Sequence, residues 1–273
     1  MTKKLLVATD LDGTLLDHKT YSCEATLPTI ARLQARGYPI VFNSSKTLAE
    51  QTLLRETLHI RAPFIIENGA AVVIPSGQLD RPARSPNPEI EVFGPPYADL
   101  VRQIDRLRQQ RGYCFRGFAD LSAAELAEIT GLSVEGAVAA KQRSGSEPLL
   151  WEDSETAYGE FVAAIANRGL QTTRGGRFRH VTAKADKGKA LSWLVERYRR
   201  AFPQQEWIVV ALGDSPNDLP MLRVADIGVS IPNPHRASFE VTGVKNLLQP
   251  EQPGPLGWTE AVTHILEERS LNL

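Results

Sequence analysis

The chain has 273 residues, of which 42% are hydrophobic and 23% charged. That composition excludes a disordered chain and is enough for one large α/β domain, or for a core carrying a smaller second one. Lys plus Arg number 31 against 32 for Asp plus Glu, so no global field recruits nucleic acid or an anionic membrane, and any anionic ligand must be met by local clustering. The apolar run near the N-terminus is too short for a secretory signal, and no run reaches the roughly 20 residues that span a bilayer. Cys23 and Cys114 lie far apart without metal-ligand spacing. The expectation is a cytoplasmic protein with reduced thiols and neither nucleic-acid nor membrane partners.

In chain order, residues 5–8 form a fully apolar run, as in a strand buried on both faces of a parallel sheet. A helix follows over 26–35, with Pro28 in its first turn and Gly37 beyond its end. A second strand over 39–42, a helix over 47–58 and a third strand over 64–66 continue the alternation. Asn68-Gly69 then predicts a tight turn into a hairpin strand over 71–74. The proline-rich stretch GQLDRPARSPNPEIEVFGPP reads as a linker. Beyond it the pattern loosens, with helices over 97–111, 122–130 and 154–168. Regular alternation resumes with a helix over 187–200 and strands over 208–212 and 227–231. The prediction is a doubly wound, mostly parallel α/β core of residues 1–84 and 185–273, interrupted by an inserted α/β domain over 85–184.

Two acidic clusters mark the chemistry. ATDLDGTLLD places Asp10 and Asp12 directly after an apolar strand, with Gly13 permitting a sharp exit turn; LGDSPND places Asp214 and Asp218 after another. Parallel strands bring such carboxyl ends to one edge, where open α/β sheets bind their ligands. Four carboxylates there repel one another. At about 4 Å and an effective dielectric of about 20, each pair costs roughly 4 kcal/mol, so the site calls for a cation. Oxygen ligands without clustered His or Cys favour a hard divalent ion, Mg²⁺ above all. Ser44 follows the second strand and could bond phosphoryl oxygens, while Lys187 opens a helix where its ammonium could neutralise Asp10 and an incoming phosphate. Alone, Ser44 would read as a helix cap and Lys187 as a solvated charge. Their placement beside both clusters favours a site for a small anionic phosphorylated substrate.

DLDGT, the strand-end Ser44, the isolated Lys187 and GDSPND, in that order, resemble the four motifs of the haloacid dehalogenase (HAD) superfamily. The resemblance implies that Asp10 attacks phosphorus and becomes an aspartyl-phosphate, and that Asp12 acts first as acid and then as base. It also implies Mg²⁺ held by Asp10, Asp214 and the main-chain carbonyl of Asp12, with Asp218 and Asn217 orienting the site from behind. The position of the insert resembles the type B, C2 cap of the Cof-like sugar-phosphate phosphatases. Within that group, NSSKT, IIENGAAVVIP, ITGLS, AAKQRSGSEP and GGRFRHVTAKADKGKAL are similar to the mannosyl-3-phosphoglycerate phosphatases, which implies that substrate class.

Such an ester carries a carboxylate besides its phosphate, so cations beyond Lys187 are expected. Lys141, Arg143 and Arg177 are the candidates, within a basic stretch that also holds Arg174, Arg179 and His180. Strand alternation would put Arg177, Arg179 and Val181 on one face and Phe178 and His180 on the other, so not all can face a ligand. Glu67 and Asn68, at the third strand's end, are candidates for sugar hydroxyls. A phosphatase of another sugar or polyol phosphate, a phosphomutase and a non-catalytic phosphosugar-binding module remain as alternatives.

Overall fold

The computed structural model describes residues 2–85, 87–175, 177–235 and 239–270. In chain order the core opens with β1 (Thr2–Thr9), α1 (Leu27–Ala35), β2 (Ile40–Phe42), α2 (Leu48–Thr57), β3 (Phe64–Ile66), β4 (Ala71–Ile74) and β5 (Glu89–Val92). Then come α3 (Tyr97–Arg111), β6 (Phe115–Gly117), α4 (Ala123–Thr130), α5 (Val134–Lys141), β7 (Ser146–Trp151), α6 (Glu155–Ala166), β8 (Leu170–Gly175) and β9 (Phe178–Ala183). The chain finishes with α7 (Lys187–Ala201), β10 (Gln205–Gly213), α8 (Leu219–Val224), β11 (Ile227–Ser230), β12 (Leu247–Leu248) and α9 (Gly254–Ser270).

The main sheet has the order β12-β11-β10-β1-β2 and is parallel throughout. From β1 the chain winds outward to β2, and after α7 it returns on the other side to β10, so the switch of direction falls between β1 and β10. Both faces of β1 are buried, which is why its sequence is a continuous apolar run. Leu5 and Val7 pack with Ile30 and Leu33 of α1 and Trp258 of α9, whereas Leu6 and Ala8 pack with Leu191 and Leu194 of α7. The doubly wound core that the sequence predicts is present.

An antiparallel sheet β3-β4-β5 joins the edge of β2 through a bridge between Asn43 and Ile65. A separate antiparallel sheet, β6-β7-β9-β8, buries one face under α3 and α6, with Leu100, Ile104, Phe161 and Ile165 packed on Leu149, Leu170 and Val181. Helices α4 and α5 form a small core of their own around Phe118, Leu121, Leu126 and Ala137.

Several elements depart from the sequence expectation, three of them instructively. The stretch expected as a linker contains β5, which pairs antiparallel with β4; an edge strand reading EIEV between prolines offers backbone pairing but little apolar pattern. Helix α5 is built from small residues and a glycine, so only its Ser133 cap, accepting from Gly136 N at 3.0 Å, marks it. Helix α9 covers the core with Trp258, Val262 and Ile265, which are spaced as one helical face. Cys23 and Cys114 are free thiols. Among the described residues no helix is long and apolar enough to cross a membrane.

Candidate active site

Register fixes where the acidic residues emerge. Thr9 lies opposite Leu212 on one side and Phe42 on the other. The amides of Asp10 and Asn43 close the last ladder bonds, to Leu212 O at 2.9 Å and Thr9 O at 2.8 Å. All three strands therefore end at one edge and release Asp10, Ser44 and Asp214 there. Gly13, at φ +86°, turns the chain back, and a Cβ at this position would stand 2.8 Å from Asp214 Oδ2. Only glycine allows that approach. The turn lets Thr14 Oγ1 donate to Asp214 Oδ1 at 3.3 Å.

Lys187 enters the same edge from the first turn of α7 and is 1% exposed. Its Nζ donates to Asp10 Oδ1 and to Asp218 Oδ1, each at 2.6 Å. The other oxygen of Asp218 accepts from the amides of Asp214 (3.1 Å) and Ser215 (3.0 Å) and from Ser215 Oγ (2.8 Å). Asp218 is thus held by both oxygens and aims the lysine. Asn43 Nδ2 donates to the carbonyl of Lys187 at 3.0 Å, anchoring the helix start. The turn after β3 passes so close that a Cβ on Gly69 would stand 2.2 Å from Asp186 O.

The charges do not balance. Asp10, Asp214 and Asp218 place carboxylate oxygens within 4.8 Å of one another, all buried, with Lys187 as the buried counter-charge. Burial first, and then the neighbouring Asp218 and Asp214, push the Asp10 carboxyl well above its usual range despite the pull of Lys187. Burial works against the charged form of Lys187, but Asp10 and Asp218 outweigh it and hold its pKa above the ordinary value. The lysine stays charged, and the remaining negative charge is what a divalent cation would meet. The donors are carboxylates with no His or Cys among them, so a hard, oxygen-preferring ion fits the site.

Asp12 sits beside this cluster, half-buried, with Oδ1 lacking a partner among the described residues and Oδ2 paired to Lys46 Nζ at 3.0 Å. Burial disfavours the charged form of Lys46, but Asp12 and Glu50 more than offset it and raise its pKa. Ser44 is buried at the end of β2, and its carbonyl accepts from Asn68 N at 2.9 Å. Asn217 Nδ2 donates to Asn68 Oδ1 at 3.0 Å, so these two amides meet between the third strand and the second acidic loop.

The residues expected to bind the distal part of a substrate behave differently. Glu67 is fully buried, and its carboxylate accepts from the amides of Ser144 (2.7 Å), Gly145 (3.2 Å) and Ser146 (2.9 Å) and from Ser146 Oγ (2.8 Å). Arg143 Nε lies 3.6 Å from Glu67 Oε2, and its guanidinium also donates to Ser146, Ala140 O and Ser45 O. Glu67 and Arg143 form a buried clasp between the two sheets. Lys141 Nζ donates to the carbonyls of Phe118 and Leu121, and Arg177 to that of Ile129. These cations satisfy helix and loop carbonyls where a ligand carboxylate was expected. The Arg174 side chain and Gly176 lie outside the described residues.

Strand alternation in β9 holds: Arg179 stacks on Tyr158 of α6 and Val181 enters the helix-side core, while His180 faces away. Burial, with Arg143 nearby, lowers the His180 pKa to about 3, so its ring is neutral; among the described residues its Nδ1 has no partner. Sequence reasoning did not single out Lys46, Asn43 or Asn233, whose Nδ2 donates to Asp214 Oδ2. Lys46 stands within SSKT, two residues after Ser44; Asn233 follows β11 in a loop without acidic or glycine punctuation.

Comparison with known proteins gives the family and the fold. A family described as haloacid dehalogenase-like hydrolase matches residues 7–81 and 152–242. A protein of Methanococcoides burtonii named glucosyl-3-phosphoglycerate/mannosyl-3-phosphoglycerate phosphatase is 37% identical over 270 residues, covering 96% of this chain and 97% of that protein. A protein of Persephonella marina with the same name is 34% identical over 268 residues, covering 97% and 98%. A crystal structure from Thermoplasma acidophilum shares the fold at a TM-score of 0.68 and 18% identity, covering 97% of this chain and 98% of that one.

Proposed function

The chain belongs to the haloacid dehalogenase-like hydrolases, and from that premise we propose that it is a phosphatase removing phosphate from mannosyl- or glucosyl-3-phosphoglycerate through an aspartyl-phosphate on Asp10. The observation that carries the reading is the buried Asp10–Lys187–Asp218 bridge beside Asp214. The names of the full-length relatives support the substrate class.

In the proposed mechanism the Asp10 carboxylate attacks phosphorus and the bond to the ester oxygen breaks, with Asp12 giving its proton to that oxygen. A water then attacks the aspartyl-phosphate while Asp12 takes the water's proton, and the bond from phosphorus to Asp10 breaks to release phosphate. One carboxyl serves as acid and then as base. Lys187 offsets charge on Asp10 and on the phosphoryl oxygens, and the Ser44 hydroxyl contributes a hydrogen bond to those oxygens. Mg²⁺, held by Asp10, Asp214 and the carbonyl of Asp12, would supply charge neutralisation when bound. Asp218 and Asn217 orient the site from behind; Asn68 meets the substrate at the seam.

The same reading divides the chain into a core of 1–84 and 185–273 and a cap of 85–184, with β5 pairing back onto the core hairpin. The separate sheet β6-β7-β9-β8 and the gap in the family match between 81 and 152 support this division. The test is phosphate release across phosphorylated sugars, polyols and glycosyl-phosphoglycerates with Mg²⁺ present. The expected result is a clear preference for the glycosyl-phosphoglycerates; uniform turnover would refute the substrate, and no turnover of any ester would refute the phosphatase.

A further inference from the structure

We infer that Lys46 is the cation that receives the substrate's carboxylate and thereby selects phosphoglycerate esters over neutral phosphosugars. This rests on the phosphatase reading above and assigns a role within the same site.

The candidates expected from sequence are engaged elsewhere. Lys141 and Arg177 donate to backbone carbonyls, Arg143 is clasped to Glu67 and Ser146, and Arg179 pairs with Glu155. Lys187 is taken by two aspartates. Lys46 is set apart by its place, paired with Asp12 at the reacting edge. Its ammonium has three donors, and among the described residues it meets one oxygen, Asp12 Oδ2 at 3.0 Å, while its other contact is the face of Tyr21 at 5.3 Å. Its side chain is 18% exposed and that of Asp12 32%, so the pair is open to a ligand rather than sealed.

Asp12 is the acid for the leaving oxygen, so that oxygen must come within hydrogen-bond reach of Asp12. In a 3-phosphoglycerate ester only two carbons separate this oxygen from the carboxylate carbon. A carboxylate tethered that closely to the oxygen at Asp12 falls beside the ammonium paired with Asp12. Lys46 also lies in the loop that carries Ser44, and its carbonyl accepts from Glu67 N at 3.0 Å, so its backbone is fixed from both sides. A neutral phosphosugar would leave this ammonium with Asp12 alone.

The experiment measures kcat and KM for mannosyl-3-phosphoglycerate and for its analogue with the carboxylate reduced to hydroxymethyl, in the wild type, Lys46→Met and Lys46→Arg. A charge-assisted contact predicts that the wild type prefers the carboxylate by about 10- to 150-fold in kcat/KM. In Lys46→Met that ratio should collapse to near unity, mainly through KM, and Lys46→Arg should restore part of it. If Lys46→Met slows both esters equally and keeps the wild-type ratio, Lys46 serves only Asp12 and the inference is overturned alone. A wild type that hydrolyses neither ester overturns the phosphatase reading and the inference with it.

Discussion

The carboxyl edge of the core sheet and the basic stretch facing it use charge in opposite ways. At the core edge three buried aspartates share one buried lysine, and the balance is left negative. Across the seam the charged groups meet partners within the protein: Glu67 is buried, accepts four hydrogen bonds and pairs with Arg143, while Lys141 and Arg177 donate to carbonyls. A charge whose partners fall short is one kept for a ligand; a charge whose partners are complete is holding structure. Composition alone cannot distinguish the two, because acidic and basic side chains appear in both.

Removing the core lysine should have the largest effect. Lys187→Met leaves Asp10 and Asp218 buried without their cation, so activity should fall by about 10³-fold or more. Stability in the metal-free protein should drop by about 3–5 kcal/mol, the usual cost of breaking a buried pair. Urea melts and single-turnover kinetics would read both; near-normal turnover would show that the bridge is structural only.

Glu67→Gln probes the other region. The side chain keeps its shape but turns an acceptor into a donor facing backbone amides, and leaves the Arg143 guanidinium without its carboxylate. The expected loss is about 1–3 kcal/mol in stability, with faster hydrogen exchange at 144–146 and a higher KM. Because Glu67 and Asn68 both stand at positive φ, 53° and 58°, the clasp also holds a strained turn in place. A variant with altered sugar preference but unchanged stability and exchange would return Glu67 to substrate binding.

A smaller effect is expected with pH. Asp10 in the metal-free protein has its pKa raised by burial and by Asp218 and Asp214. The folded state therefore holds that proton more tightly than the unfolded chain does. The contribution is fully present below the unfolded aspartate value and is lost as pH rises through the folded value. A divalent ion replaces the proton, so Mg²⁺ should raise Tm more at alkaline than at acidic pH. An equal Tm gain at both ends of the range would contradict a metal bound at Asp10.

The legibility of the molecule follows the same division. Asp10, Asp12, Ser44, Asp214 and Lys187 could be picked out because each stands at the end of an apolar strand or the start of a helix, and register alone brings those ends together. The doubly wound core was readable for the same reason: residues 5–8 and 208–212 are apolar on both faces. What escaped depends on tertiary contact. Asn233 is tied to Asp214 by a loop whose path the sequence does not encode locally, and Lys46 acquires meaning only through Asp12. For Arg177 and Arg143 the sequence is silent on partners, because a guanidinium reads the same whether it meets a substrate carboxylate, Glu67 or the carbonyl of Ile129. Helix α5 carries too little apolar periodicity to be seen, and β5 hides between prolines.

The central claim is that Asp10 is the nucleophile at a site completed by a divalent ion. Its most direct test is a crystal structure of the wild-type protein grown with Mg²⁺ and beryllium fluoride, a mimic of the aspartyl-phosphate. The expected structure has beryllium bonded to an Asp10 carboxylate oxygen, the ion held by Asp10, Asp214 and the carbonyl of Asp12, and Lys187 on the fluorides. Beryllium bonded to another side chain, or an ion seated away from Asp214, would contradict it.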